Sequence, residues 1–404
     1  MTTVSRRLPA LFALLVLAPL TACDGGTDEP PEDDLRLFFG VSFERLFSEP
    51  SEAEIQSVRN AWASRSPDVS SAAPIGSAMA NGATVHVISH QMTEGPGAPL
   101  VHFGLVRIPD GVGDDAPILV VHHGGDDGVS LITQGFYQTA NASVEEMAEV
   151  FPTLFSETVQ VIPSYRAEPL AVGVGGLEDV YTSTGSASPW DYDVDDSIAL
   201  LSAALQFFDD ETDEDRIAAI GYSRGANVAL LHQVRDPRID AVTEYYGPTD
   251  FFNPNAELLA SAILGDLPGV RQLPGATYLL EEVLQPLQGP GETYNADANY
   301  DAARRDVIRR SASLFKADMS TVQIHHHTAD PVVPYPFSQA FDARTRMVPG
   351  SYEFNTYSNT LPSGTSAHSP EGMPESQAST EGWLLQALGV ASTREARPAL
   401  AMAE

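Results

Sequence analysis

The chain of 404 residues holds one cysteine, Cys23, so no intramolecular disulfide can form. Positive charge is also scarce: 22 Lys and Arg stand against 55 Asp and Glu, a formal net charge of −33. A field of that sign repels phosphate backbones and anionic headgroups, which argues against nucleic acid as a partner and against electrostatic docking on a membrane. It favours solubility and carries no information about chemistry. No internal repeat is visible, and the apolar stretch at residues 8–20 is too short to span a bilayer comfortably.

That stretch follows Arg6 and Arg7 and ends in Leu20-Thr21-Ala22-Cys23. Residues 1–22 therefore read as a targeting segment to be set aside before any fold argument. They resemble a bacterial lipoprotein signal, in which cleavage precedes the cysteine and the cysteine carries the lipid. An ordinary secretory peptide with a chance cysteine is the other reading, and both imply export. The expectation is a protein anchored through Cys23 to the cell envelope, or else periplasmic or secreted. Residues 23–34 are acidic and rich in Gly and Pro, and read as a disordered tether. Residues 391–404 form a similarly thin, flexible tail.

What remains, residues 35–390, has the size of one large α/β domain, and 43% hydrophobic residues supply a sizeable core. A helix is expected over 51–64, opened by Ser51 with Glu54 in capping-box spacing. Residues 84–90 and 100–108 alternate as an antiparallel strand pair around a Gly/Pro turn at 95–99. His86, His90 and His102 fall in these strands and are expected to be half-buried rather than metal ligands. From residue 116 onward strands alternate with helices. Strands are expected at 118–121, 159–162, 217–220, 241–246, 322–327 and 352–356, and helices at 144–155, 194–208 and 377–388. Such alternation implies an α/β fold with a mostly parallel sheet flanked by helices. The interval 253–319 is helix-prone and broken by prolines, and reads as an inserted cap.

The organising motif is Gly221-Tyr222-Ser223-Arg224-Gly225, between the apolar run 217–220 and the helical pattern of 224–231. G-x-S-x-G between strand and helix sets a serine on a sharp turn with its hydroxyl exposed. A serine needs an imidazole to take its proton and a carboxylate to orient that imidazole. On such an elbow the acid and then the histidine follow the serine in the chain. Of ten histidines, His232, His325, His326, His327 and His368 come after Ser223. His232 lies on the helix leaving the elbow and cannot return. Asp330 follows the strand 322–327 at the end where functional residues of such sheets collect. An aspartate before a proline also suits a plain surface turn. With Asp330 as the acid, His368 alone remains as base. Oxyanion donors are expected from the backbone of Arg224, at the start of its helix, and from Gly124 or Gly125 in His122-His123-Gly124-Gly125-Asp126. The latter loop nears the His-Gly-Gly-Gly type, and a simple glycine turn is its other reading.

The elbow, the His123-Gly124-Gly125 loop and residues 326–335 together resemble α/β-hydrolases of the prolyl-oligopeptidase and dienelactone-hydrolase type. The segments 161–166 and 193–197 look similar as well. The resemblance covers roughly residues 116–389 and implies an α/β-hydrolase fold with a helical cap insertion at 253–319. Relatives usually carry His-Gly-Thr-x-Asp where this chain has His326-His327-Thr328-Ala329-Asp330, so a ring replaces a glycine. Residues 35–115 are too few for the β-propeller of the large oligopeptidases, which favours a small-substrate esterase. Along the triplet 325–327, only His325 and His327 share a strand face, and no further ligand set accompanies them, so no metal is expected. No cofactor is expected either. The leading expectation is an exported serine hydrolase acting on small-molecule esters through an acyl-enzyme. A peptidase or amidase without a propeller, acting on short peptides, is the first alternative. A surface-anchored binding protein without turnover is the second.

Overall fold

The computed structural model describes residues 37–38, 40–65, 71–92, 99–131, 142–178, 180–288, 297–344, 351–361 and 366–390. Cys23, the targeting segment, the tether, the tail and most of the turn at 95–99 lie outside the described residues. No helix among the described residues is long and apolar enough to cross a membrane.

Nine strands form the central sheet: β1 (Ala73–Ala80), β2 (Ala83–Met92), β3 (Leu100–Pro109), β4 (Ala116–His122), β5 (Val159–Pro163), β6 (Thr212–Tyr222), β7 (Ile239–Tyr245), β8 (Thr321–His327) and β9 (Tyr352–Tyr357). Their spatial order is β9-β8-β7-β6-β4-β5-β3-β2-β1. From β5 to β9 neighbours run parallel through β4, β6, β7 and β8, whereas β1, β2 and β3 join by antiparallel pairing. Every residue of β4 and β5 is buried. A parallel strand covered on both faces needs such a continuous apolar run.

Alternation along β4 divides the interior in two. Ile118 and Val120 point into one core, Leu119 and Val121 into the other. The first core receives Val194 and Leu201 from helix α4 (Tyr192–Phe207), and Val228 and Leu231 from α5 (Arg224–Arg235). It also receives Val58 and Trp62 of α1 (Glu52–Ala63). The second core receives Met147 from α2 (Val144–Val150), Leu154 from α3 (Pro152–Glu157), and Leu384 from the C-terminal helix (Pro374–Ala387). Helix α1 begins as its sequence requires: the Ser51 side chain accepts from the Glu54 N–H, and Glu54 returns the bond to the Ser51 N–H.

Three local expectations are corrected. The single helix expected over 144–155 is two helices broken at Phe151 (φ −124°, ψ 63°), because the residue before Pro152 is pushed out of the helical region. Strand β1 precedes the expected hairpin and pairs antiparallel with β2 across Asn81-Gly82, both at positive φ (47° and 71°). This is the two-residue turn that Asn-Gly favours. Finally, His90 and His102 are fully buried rather than half-buried, with His102 Nδ1 2.9 Å from an Asp196 carboxylate oxygen. His86 retains partial exposure.

The interval 253–319, described except for 289–296, is helical as expected. It carries α6 (Pro254–Leu264), a π-helical turn (Leu279–Leu284) and α7 (Asp297–Arg309). Asn253 caps α6 by accepting the Asn255 N–H at 2.8 Å, and proline occupies its first turn where no donor is needed.

Candidate active site

Strand β6 ends at Tyr222 and α5 begins at Arg224, so Ser223 alone makes the turn. Its backbone sits at φ 52°, ψ −118°, a conformation a side chain rarely adopts and which the surroundings must hold. Pairing holds one side: the Ser223 N–H donates to the Tyr245 carbonyl at 2.9 Å, extending the ladder to β7. Close packing holds the other. A Cβ on Gly221 would lie 2.3 Å from the Gly225 carbonyl oxygen, and one on Gly225 would lie 2.3 Å from that of His122. The two glycines of the motif thus let helix, elbow and the 122–125 loop meet.

Asp330 sits just beyond β8 with a fully buried carboxylate. One oxygen accepts the N–H groups of Val332 (2.7 Å) and Val333 (3.0 Å). The other lies 2.9 Å from His368 Nδ1 and 3.5 Å from His326 Nε2. Burial alone would raise this carboxyl, but hydrogen bonds from His326 and His368 outweigh it and hold it below its ordinary value. His326 in turn places Nδ1 2.6 Å from the Ser338 hydroxyl and Nε2 3.0 Å from the Val333 carbonyl. An N–H at Nε2 donating to Val333 and a bare Nδ1 accepting from Ser338 satisfy both contacts.

His368 therefore meets Asp330 through Nδ1, which leaves Nε2 as the unprotonated nitrogen of the neutral ring. Its other face packs on Tyr246, with ring centroids 4.3 Å apart. Tyr246 directly follows Tyr245, the residue that accepts the Ser223 N–H, so the histidine loop rests on the strand beside the elbow. Among the described residues the structure pairs Asp330 with His368 but makes no hydrogen bond between His368 and the Ser223 hydroxyl.

The expected oxyanion loop stands against the elbow, where a Cβ on Gly124 would fall 3.2 Å from that of Ser223. Its carbonyls are both occupied: His123 Nδ1 lies 3.0 Å from the Gly124 oxygen, and Arg224 Nη1 donates to the Gly125 oxygen at 3.1 Å. The buried Arg224 guanidinium also pairs with Asp193 (2.8 Å) and Glu168, and stacks over Tyr165. Burial raises Glu168 to about 7 even against the attraction of Arg224. Motif reading assigned Arg224 a backbone role only; its side chain is the clamp on the loop. The acidic segment 193–196 carried a signal for this, since a buried arginine requires buried carboxylates.

The other sequence candidates lie apart. His232 is buried on α5 against His122, with ring nitrogens 3.2 Å apart. His325 contacts the Tyr357 hydroxyl at 2.7 Å, and His327 the Asn359 carbonyl at 3.2 Å. His327 Nδ1 also accepts the Ala329 N–H at 3.1 Å and so closes the turn that leads to Asp330. No group of residues able to hold a metal occurs among the described residues.

Ser223 and Arg224 form part of the wall of a cavity of about 190 Å³. Trp190 lines it, together with Phe251, Phe337 and several residues of the 253–319 insertion. The insertion thus lies over the elbow. Tyr192, two residues on from Trp190, lies under the guanidinium groups of Arg65 and Arg166.

The sheet order, with the elbow after β6, is that of the α/β-hydrolase fold. No family model matches this chain, nor does any curated protein. Among solved structures it is similar to Acetyl Xylan Esterase 1 from Thermoanaerobacterium sp. JW/SL YS485. That likeness has a TM-score of 0.53 and 14% identity over 89% of this chain and 99% of the other. An acetyl xylan esterase from Paenibacillus sp. R4 aligns with a TM-score of 0.48 and 13% identity, over 83% of this chain and 98% of the other. At such identities the likeness concerns the fold alone.

Proposed function

We propose that this protein is an exported serine hydrolase that cleaves carboxylic esters through an acyl-enzyme on Ser223, His368 and Asp330. One observation carries the reading. The only histidine available after the acid meets Asp330 at 2.9 Å and packs on Tyr246, next to the strand that holds the strained Ser223 elbow. In this scheme His368 Nε2 takes the Ser223 proton as Oγ attacks the acyl carbon. Asp330 keeps the tautomer with its N–H on Nδ1 and stabilises the imidazolium that forms. The backbone N–H of Arg224, and that of Gly124 or Gly125, receive the oxyanion. The clamped carbonyls of the loop support that role, because fixed donors need no reorganisation as charge develops. His368 then protonates the leaving alcohol, and water, deprotonated by the same nitrogen, releases the acid.

The two solved neighbours described above bear the names of esterases, whereas the present reading rests on this chain's own residues. Replacing Ser223 by Ala should abolish turnover of p-nitrophenyl esters, and full activity in that variant would end the proposal. Export and anchoring through Cys23 belong to the same reading. In a bacterial host, labelled palmitate should enter the wild-type chain and not Cys23→Ala; equal labelling would remove the anchor.

A further inference from the structure

The cavity beside Ser223 is apolar almost throughout. Leu258, Leu259, Ala262, Leu273, Leu279 and Phe337 are among its walls. Its polar lining residues are Ser223, Arg224 and Asn255, and the Arg224 guanidinium is already spent on Asp193 and Glu168. The indole N–H of Trp190 is likewise taken, donated to the Arg224 carbonyl at 3.1 Å. A sugar ring would find few partners here for its hydroxyls, and burying them unpaired is costly. A hydrocarbon chain would gain from the same walls.

A second, smaller void of about 20 Å³ lies behind the first and is bounded by Ala256, Ile263, Val283 and Val307. Phe251, Leu259 and Leu279 belong to the walls of both. These three side chains are therefore a partition. Leu258 lines the main cavity while remaining 55% exposed, which marks the mouth.

Resting on the serine-esterase reading, we infer that the cavity is an acyl site for linear aliphatic chains, and that Phe251, Leu259 and Leu279 set the maximum chain length. An apolar cavity of about 150 Å³ accommodates benzene, so 190 Å³ suits an acyl chain on the order of six to eight carbons. Removing Leu279 to its Cβ would join the two voids and extend the site. Filling the main cavity at Ala262, on the inner face of α6, would shorten it.

The test is kcat/KM on p-nitrophenyl esters from acetate to palmitate for the wild type, Leu279→Ala and Ala262→Phe. For the wild type we expect a rise of about fourfold per methylene, the value of burying one CH₂, up to an optimum near hexanoate or octanoate, and a fall beyond it. Leu279→Ala should shift the optimum to longer chains, and Ala262→Phe should lower the octanoate-to-acetate ratio at least tenfold. The two variants move in opposite directions, so loss of folding in one leaves the other to decide. An acetate optimum, or a profile unchanged in whichever variant folds, overturns the acyl site. Those results leave the serine hydrolase itself intact so long as a fluorophosphonate still labels Ser223; absence of both labelling and turnover would instead fail the underlying reading.

Discussion

His368 Nδ1 lies 2.9 Å from one carboxylate oxygen of Asp330 and 3.1 Å from the other, although the residues come from separate loops after β8 and β9. The carboxylate is fully buried and the imidazole side chain only 18% exposed. Two backbone N–H groups fix Asp330 from behind, so the imidazole conforms to the acid and not the reverse.

Asp330→Asn keeps the shape but offers an N–H where His368 needs an acceptor, which favours the wrong tautomer. We expect kcat on a p-nitrophenyl ester to fall by about 10³ to 10⁴ with KM little changed. A loss below tenfold would remove Asp330 from the chemistry.

Arg224→Met would leave Asp193 and Glu168 buried without their cation and would free the Gly125 carbonyl. The expected cost is about 3 to 5 kcal/mol in urea unfolding, together with a lower kcat. Arg224→Lys should recover only part of this, since one ammonium cannot reproduce the guanidinium fork.

Gly225→Ala would force a Cβ to within 2.3 Å of the His122 carbonyl oxygen, which is backbone and cannot swing aside. A loss of about 3 kcal/mol or more, read as a fall in Tm, is expected. By contrast, Gly113→Ala meets nothing within 4 Å and should leave Tm nearly unchanged.

Glu244 is completely buried on β7, with one oxygen accepting the Gly247 N–H at 2.8 Å. Burial raises its carboxyl to about 8, and the Gly247 bond offsets this only in part. An unfolded glutamate titrates near about 4.3, so through the window from there to about 8 the folded chain keeps a proton that the unfolded chain has released. Stability contributed by this group is complete below that window and is lost as pH rises through it. Glu244→Gln has no such proton to lose. Its urea midpoint relative to wild type should therefore improve from about pH 5 to about pH 8, and a constant difference would contradict the assignment.

Much of the candidate site's geometry was legible because its signals are local in sequence. The elbow needs glycines two residues either side of Ser223, and Asp330 and His368 each follow a strand that the alternation of elements marks out. The hairpin into β1 was written in Asn81-Gly82, and the helix break in Pro152, but each depends on one dipeptide that a periodicity argument passes over. Burial of His90 and His102 was not legible, because alternation identifies a face without saying what covers it; here α4 supplies Asp196. The Arg224 clamp draws on Asp193 and Glu168, dozens of residues away, and no spacing rule joins them. For the same reason the insertion read as a helix-prone cap without showing that Leu259 and Leu279 would line the same cavity as Ser223.

The most direct test of the central claim is the site of covalent capture by a fluorophosphonate, mapped by peptide mass spectrometry on the wild type and Ser223→Ala. The account predicts one adduct on the peptide containing Ser223, with neither adduct nor ester turnover in the variant. An adduct on another serine, or undiminished labelling and turnover in Ser223→Ala, would contradict it.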